Sequence, residues 1–386
     1  MKYVILIPDG CADLPVKSLG NRTPMQAART PNFDALAKTG IIGRSNNVPV
    51  ELAPGSDVAT LGLLGYHPKR YYTGRAPLEA AALGIPFRSD DWVIRCNLVY
   101  IDGGIMRSFT AGHIPSEEAA GLIDVLNEAV VPFSPVPLWF YAGVSYRNLA
   151  LVKDSSIFLR ETKTYPPHDF TDKSIGPALP AGPGSKLLME LMEHSKKAFE
   201  RHPINRKRME RNKLPCSQVW LWGLGQKPEV PLFAEQHAAA LENKPFRGAM
   251  ITAVDLLRGI AAFIGWDEIN VPRATGYVDT DYAAKGQYAS EALDKYDIVC
   301  IHVEATDESG HEGDAEKKTK ALEDIDAKLL PPVLDALKHN GEWRILISPD
   351  HPTPCSLKTH TSDYVPWLIA GSGITTSEHS ADSYNE

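Results

Sequence analysis

Cysteine is scarce in this 386-residue chain. Its five copies (Cys11, Cys96, Cys216, Cys300 and Cys355) are odd in number, widely spaced and never arranged as C-x-x-C. A disulfide framework or a zinc ribbon is therefore not expected, and a reducing, cytoplasmic setting fits. No apolar run approaches the ~18 residues of a membrane span. The opening "MKYVILIPDG" has one lysine and a short apolar stretch ending in Pro-Asp-Gly, too brief for the apolar core of a secretory signal. No long basic run offsets the net charge of −8, so neither nucleic acid nor a membrane surface is an expected partner. An anionic substrate would have to be met by local arginines, lysines or metal ions. Internal repeats and low-complexity tracts are also missing.

What is present is the pattern of an open α/β sheet. "YVILI" (3–7), "YDIVCIHVEATD" (296–307) and "WRILISPDH" (343–351) read as short, buried, parallel strands, with "YVPWLIAG" (364–371) as a fourth. "PNFDALAKTG" (31–40) reads as a helix stopped by Gly40. Residues 314–341 follow helical periodicity, with Pro331 and Pro332 expected to interrupt it. The middle differs: two strands around an Asp-Gly-Gly turn (92–114), an amphipathic helix (116–130), a strand (144–153), a Pro/Gly-rich loop (164–185), and a helix running into a basic segment (186–213). This predicts a sheet flanked by helices in 1–86 and 217–386, with a smaller α+β domain inserted at 87–216.

Chemistry-bearing residues gather where the strands are expected to end. The first strand ends at Asp9, the second at Asp307 with His311 four residues on, and the third at Asp350 followed by His351; His360 comes nine residues later. In open α/β sheets ligands bind beyond the carboxyl ends of the strands. Mixed carboxylate and imidazole donors suit Mn2+ or Zn2+ better than Ca2+. Two such cations could clamp the attacking and leaving oxygens of a phosphoryl transfer. Any single Asp or His here is equally well read as a turn former or a surface residue. Ser56, in "APGSDVATLGLLGY", has two readings: a helix N-cap, or a nucleophile at the positive end of a helix.

The ordered stretches "PDG", "PGSDVATLGLLGY", "YYTGRAPLEAA", "ITAVDLLRGI", "ATGYVDTDYAAK", "HVEATDESGHEG" and "SPDHPTP…THTSD" together resemble the archaeal-type cofactor-independent phosphoglycerate mutases of the alkaline phosphatase superfamily. The resemblance implies an alkaline-phosphatase-like, mostly parallel sheet carrying a metal-binding catalytic domain, with the insert as substrate-binding domain. It implies two divalent metal ions (Mn2+, with Zn2+ or Mg2+ as alternatives) and no 2,3-bisphosphoglycerate. One metal would be held by Asp307, His311 and His360, the other by Asp9, Ser56, Asp350 and His351. Ser56 would become a phosphoserine, and Lys285 would stabilise charge beside it. The activity implied is interconversion of 2- and 3-phosphoglycerate, with a small phosphorylated hydroxy acid as substrate.

The insert departs from that pattern. Where the mutases carry an arginine-rich "DRRAGR" element, this chain has "IMRSFTAGHI", leaving Arg107, with His113 near the last arginine position. "RCNLVYIDGGIM…AGHI", "PPHDFTDK" and "VWLWGLGQKPEVPLF" resemble a bacterial branch for which homoserine kinase activity has been proposed. A metal-dependent phosphatase is a further alternative. Arg75, Arg95, Arg107, His113, Arg147 and His168 are the candidates for substrate contact, each also readable as a structural ion-pair member. Trp220 and Trp222 are read as packing, and "HPINRKRMERNK" mainly as a solvated helix end. Family members usually continue for a short helix beyond "HSADSYNE". The expected ligands all precede that point, so the metal site should not suffer.

Overall fold

The structure is a computed structural model that describes residues 1–153, 159–242, 244–375 and 379–386. Twelve strands occur in chain order among them: β1 (Lys2–Pro8), β2 (Ile41–Ser45), β3 (Trp92–Asp102), β4 (Ile105–Ser108), β5 (Leu138–Val144), β6 (Arg147–Val152), β7 (Gln218–Gln226), β8 (Gly248–Ile251), β9 (Asp267–Glu268), β10 (Ile298–Val303), β11 (Trp343–Ile347) and β12 (Val365–Gly371). The chain divides into two compact units, residues 1–72 with 230–386, and residues 73–229. Composition had placed the boundaries at 87 and 216. They fall further out because the helix Arg75–Ala82 packs on β3 and β7, and β7 itself pairs with β3.

The first unit holds a seven-stranded sheet in the order β2-β12-β11-β1-β10-β8-β9. The run from β11 to β9 is parallel, whereas β12 and β2 join antiparallel. Every residue of β10 is buried, as expected for a central parallel strand covered on both faces. Leu6, Val299, Ile301, Ile345 and Leu368 belong to one continuous apolar core. Each such side chain contributes roughly 1.5–3 kcal/mol by leaving water.

Two expectations about the elements change. The segment 314–341 is not broken by its prolines: Ala315–Asp324 is α-helical, Ile325–Leu329 forms a π turn, and Leu330–His339 continues as α-helix. Proline lacks an N–H and its ring crowds the carbonyl four residues back. The wider π turn lies across those positions, so Pro331 and Pro332 sit in the first turn of the following helix. The turn also presents Asp326, whose carboxylate accepts the N–H groups of Asn32 and Phe33 and so caps the helix Pro31–Thr39. The second change concerns strand length. β10 ends at Val303, not Asp307, and β11 ends at Ile347.

The second unit is a five-stranded antiparallel sheet, β4-β3-β6-β5 with β7 on the other side of β3. Asp102 leads into Gly103 and Gly104, both at positive φ, which is the backbone a two-residue hairpin turn demands. The helices Ser116–Ala129 and Ser185–Phe199 bury their apolar faces in the core of this unit. The basic segment is a separate helix, Pro203–Glu210. Its Arg208 is buried, donating to Glu118 and to the carbonyls of Ala111 and Leu214, so it is a structural tie rather than a solvated charge.

Candidate metal centre and nucleophile

Asp9 follows β1 directly, and its N–H is bound by the Val303 carbonyl at the end of β10. Gly10, at φ +58°, turns the chain so that its N–H reaches Asp350 Oδ1 at 3.2 Å. A Cβ at this position would collide with Asp307 and Thr353, so the close packing of two carboxylates requires glycine here. Asp307 lies in the first turn of the helix Ala305–Glu312 rather than on a strand. One helical turn on, His311 Nε2 approaches Asp307 Oδ2 to 3.2 Å. His360 Nε2 lies 3.5 Å from Asp307 Oδ1 and 2.9 Å from His311 Nε2. Asp350 and His351, in the turn beyond β11, do converge: His351 Nε2 is 3.5 Å from Asp350 Oδ2 and from Asp9 Oδ1.

Ser56 is not an N-cap. It is the first residue of the helix Ser56–Leu63, and Gly55, which has no side chain to cap with, occupies the cap position. Its Oγ instead lies 3.3 and 3.4 Å from the two oxygens of Asp9 and 3.2 Å from His351 Nε2. The first helical bond is made by the Ala59 N–H to the Gly55 carbonyl, so the preceding N–H groups have no helical partner.

The electrostatics are lopsided. Burial, with the negative charges of Asp350, Asp307 and Glu304, pushes the Asp9 carboxyl well above its ordinary value. Burial opposes ionisation of Asp307 too, but His311 and His360 outweigh it and hold that carboxyl well below the usual range. The bond to Asp307 in turn raises His311 to about 9. Among the described residues, Asp350 Oδ2 is buried with no donor group bonded to it. Two donor groups, Asp9–Asp350–His351 and Asp307–His351–His360, each have ligand atoms within 4.8 Å of one another. Crowded carboxylates, an orphaned oxygen and imidazole nitrogens facing each other are what divalent cations would satisfy. The donor set fits them.

Lys285, on the helix Tyr282–Lys295, is fully buried and donates from Nζ to the His302 carbonyl at 2.9 Å. Burial lowers it to about 8, with Glu304 acting the other way. Sequence reasoning missed His302, Gly10 and Thr353. His302 sits 3.0 Å from Asp9, and its signal was a lone imidazole inside an otherwise apolar strand. Thr353 donates to Asp307 Oδ1.

The six substrate-contact candidates all lie in the second unit. Arg95 spans both oxygens of Glu79, at 2.9 and 3.0 Å, and its guanidinium stacks 4.1 Å over Trp222. His168 meets the same indole edge-on at 5.7 Å. Burial, with Arg95 and Arg75, lowers His168. Burial also raises Glu79 against the pull of Arg95, Arg147 and Arg75. Arg75, Arg95, Arg147 and His168 thus share one electrostatic neighbourhood. Arg107 pairs with Asp172 at the exposed hairpin, and His113 is exposed at φ +51°. Trp220 and Trp222 are buried packing residues with bonded indole N–H groups.

Comparison with known proteins places this arrangement. A family described as 2,3-bisphosphoglycerate-independent phosphoglycerate mutase matches residues 37–205. The enzyme of that name from Methanothrix thermoacetophila is 45% identical over 100% of this chain and 94% of its own length. One from Thermococcus kodakarensis is 34% identical over 97% of this chain and 89% of its own. Among solved structures, the PH0037 protein from Pyrococcus horikoshii has a TM-score of 0.81 at 28% identity, covering 100% of this chain and 91% of that one. The cofactor-independent phosphoglycerate mutase from Thermoplasma acidophilum shares the fold, with a TM-score of 0.65 at 23% identity over 99% of this chain and 95% of that one. With its sheet, its donor clusters and these relatives, the chain is an enzyme of the 2,3-bisphosphoglycerate-independent phosphoglycerate mutase family.

Proposed function

We propose that the protein interconverts 2- and 3-phosphoglycerate by phosphoryl transfer through Ser56, with two divalent cations, Mn2+ foremost, held by Asp9, Ser56, Asp350 and His351 and by Asp307, His311 and His360. The observation that carries this reading is that six side chains from well-separated stretches of chain, Asp9, Asp350, His351, Asp307, His311 and His360, form one connected cluster that reaches the Ser56 hydroxyl through Asp9 and His351. When bound, such cations supply a deprotonated nucleophile at neutral pH and neutralise charge on the transferring group.

The chain's own residues do the rest. Ser56 is held by Asp9 and His351 with its oxygen at the helix start, where the positive end of the helix favours the phosphoryl oxygens. In the first half-reaction the Ser56 hydroxyl gives up its proton as the Oγ–P bond forms and the substrate's P–O bond breaks, and the freed glycerate oxygen takes up one proton in exchange. In the second half the other glycerate hydroxyl attacks the phosphoserine, loses its proton and regenerates Ser56. Lys285 keeps a buried ammonium behind β10, charged below a pKa of about 8. The second unit serves as the substrate-binding domain, with Arg75, Arg147 and His168 as contacts. Arg95, engaged on both sides by Glu79 and Trp222, acts as their scaffold.

One observation favours a second reading, in which homoserine or another small hydroxy acid is the phosphate acceptor. Arg107 is the single arginine of its segment and is drawn to Asp172, so that region offers few forks for a phosphorylated acid. Incubation with 3-phosphoglycerate and Mn2+ is the test. Formation of 2-phosphoglycerate is the expected result. Transfer to homoserine without isomerisation would replace the mutase reading, and inorganic phosphate as main product would make the enzyme a phosphatase.

A further inference from the structure

His302 is a buried imidazole that the reaction outlined above does not use. Its place follows from sheet register. β10 lies between β1 and β8, with His302 level with Ile7 on one side and Ile301 level with Ile251 on the other. Asp9 leaves the sheet just past β1, and Thr252 just past β8. The three side chains therefore form a row across adjacent strand ends. His302 is 0% exposed, with Nε2 3.0 Å from Asp9 Oδ2 and Nδ1 3.3 Å from Thr252 Oγ1.

Hydrogen-bond bookkeeping sets the tautomer. Thr252 Oγ1 accepts the Val254 N–H at 3.1 Å, and the acceptor facing its own proton among the described residues is His302 Nδ1. A buried hydroxyl proton needs an acceptor. Nδ1 therefore carries the lone pair and Nε2 the proton. Among the described residues the Nε2–H meets no in-line hydrogen-bond partner, and Asp9 Oδ2 is the oxygen beside it. Asp9 Oδ1 faces His351, 3.5 Å away, and Ser56 Oγ lies near both oxygens, 3.3 Å from Oδ2 and 3.4 Å from Oδ1.

We propose that His302, oriented by Thr252, is a positioning residue for Asp9: packed beside Oδ2, it holds in place the carboxylate offered to the cation on the Ser56 side. The inference rests on the two-cation reading. Outer partners of this kind typically govern metal affinity by 10- to 100-fold. The role is directional, because only the Asp9 side should respond.

The test is Mn2+ titration of the metal-stripped full-length protein, with free ion counted by electron paramagnetic resonance. Asp9→Asn identifies which of the two affinities belongs to the Asp9 side. His302→Leu is expected to weaken that affinity about 10- to 100-fold and leave the other unchanged. His302→Asn, which retains a donor, should recover part of the loss, and Thr252→Val should weaken the same site severalfold. Should His302→Leu fail to fold, Thr252→Val carries the measurement. Equal weakening of both sites, or none, overturns the proposal. So does loss of an entire ion that His302→Asn does not restore, since Nε2 would then be a ligand itself. A wild-type protein that binds fewer than two Mn2+ defeats the two-cation reading instead, which separates the two failures.

Discussion

The two compact units handle buried charge in opposite ways. In residues 73–229, Arg95 is matched to Glu79 through two bonds, and Arg208 to Glu118 and two carbonyls. In residues 1–72 with 230–386, Lys318 and Asp13 form one comparably matched pair. Around Asp9, by contrast, burial and the neighbouring carboxylates push its own carboxyl up, and Asp350 Oδ2 accepts no protein donor among the described residues. Matched pairs fix a scaffold. A crowd of carboxylates short of positive charge costs stability and is retained where something positive binds. The contrast supports the proposal that the chemistry lies in the first unit and that the second serves as a platform.

The sharpest way to break that contrast is Ser56→Ala. Phosphoryl transfer should fall by at least about a thousandfold in a steady-state assay. Thermal unfolding should barely change, because this side chain caps no helix. Full activity in the variant would remove the nucleophile from the first unit.

Chelation comes next. Removing divalent ions should abolish activity, with recovery on adding Mn2+. Hydrogen exchange should then quicken near Asp9, Asp307 and Asp350 and stay unchanged in β3 and β6. Binding at a thousand times Kd stabilises by about 4 kcal/mol, so unfolding should shift measurably. An enzyme indifferent to chelation, or exchange that quickens equally in both units, would erase the distinction.

Within the second unit, Arg75→Ala should raise KM for phosphoglycerate about tenfold, the equivalent of about 1.4 kcal/mol, with kcat little changed. Arg95→Lys should lower stability instead, by about 1–2 kcal/mol, because lysine reproduces neither the two-pronged bond to Glu79 nor the stacking on Trp222. Reversed outcomes would exchange scaffold and contact.

The smallest effect is a pH slope. The folded-state value of Lys285 lies near 8, below its ordinary 10.5. Between those values the unfolded chain binds the extra proton, so the metal-free protein should gain stability as pH rises from 8 to 10.5, by at most about 1.4 kcal/mol per unit. Lys285→Met should flatten that slope in denaturant titrations.

Much of this site was readable before any fold was known. Asp9, Asp307, His311, Asp350, His351 and His360 are conspicuous because such residue types rarely cluster at the ends of apolar runs. Other parts were not legible. "EATDESG" continues an apolar strand in sequence, and only the turn at Val303 shows that Asp307 belongs to a helix. Serine after Pro-Gly looks like a cap, and whether its oxygen bonds its own helix or a distant carboxylate is not a local property. Strand β5 went unread because its exposed apolar residues, Trp139 and Val144, blur the alternation. Pro331 and Pro332 read as interrupting a helix because a π turn leaves no composition of its own.

By itself the sequence determined the strand-forming runs, the hairpin at Asp102–Gly104, the scarcity of cysteine and the inventory of metal-suited side chains, all properties of short stretches governed by local sterics and periodicity. Only tertiary structure decided which of those side chains meet. Asp9 and Asp350 come together because β1 lies between β11 and β10 in parallel register, and His302 reaches Asp9 because one strand order places it there. Register across a sheet sums the packing of many residues far apart in the chain, and no single stretch carries that sum.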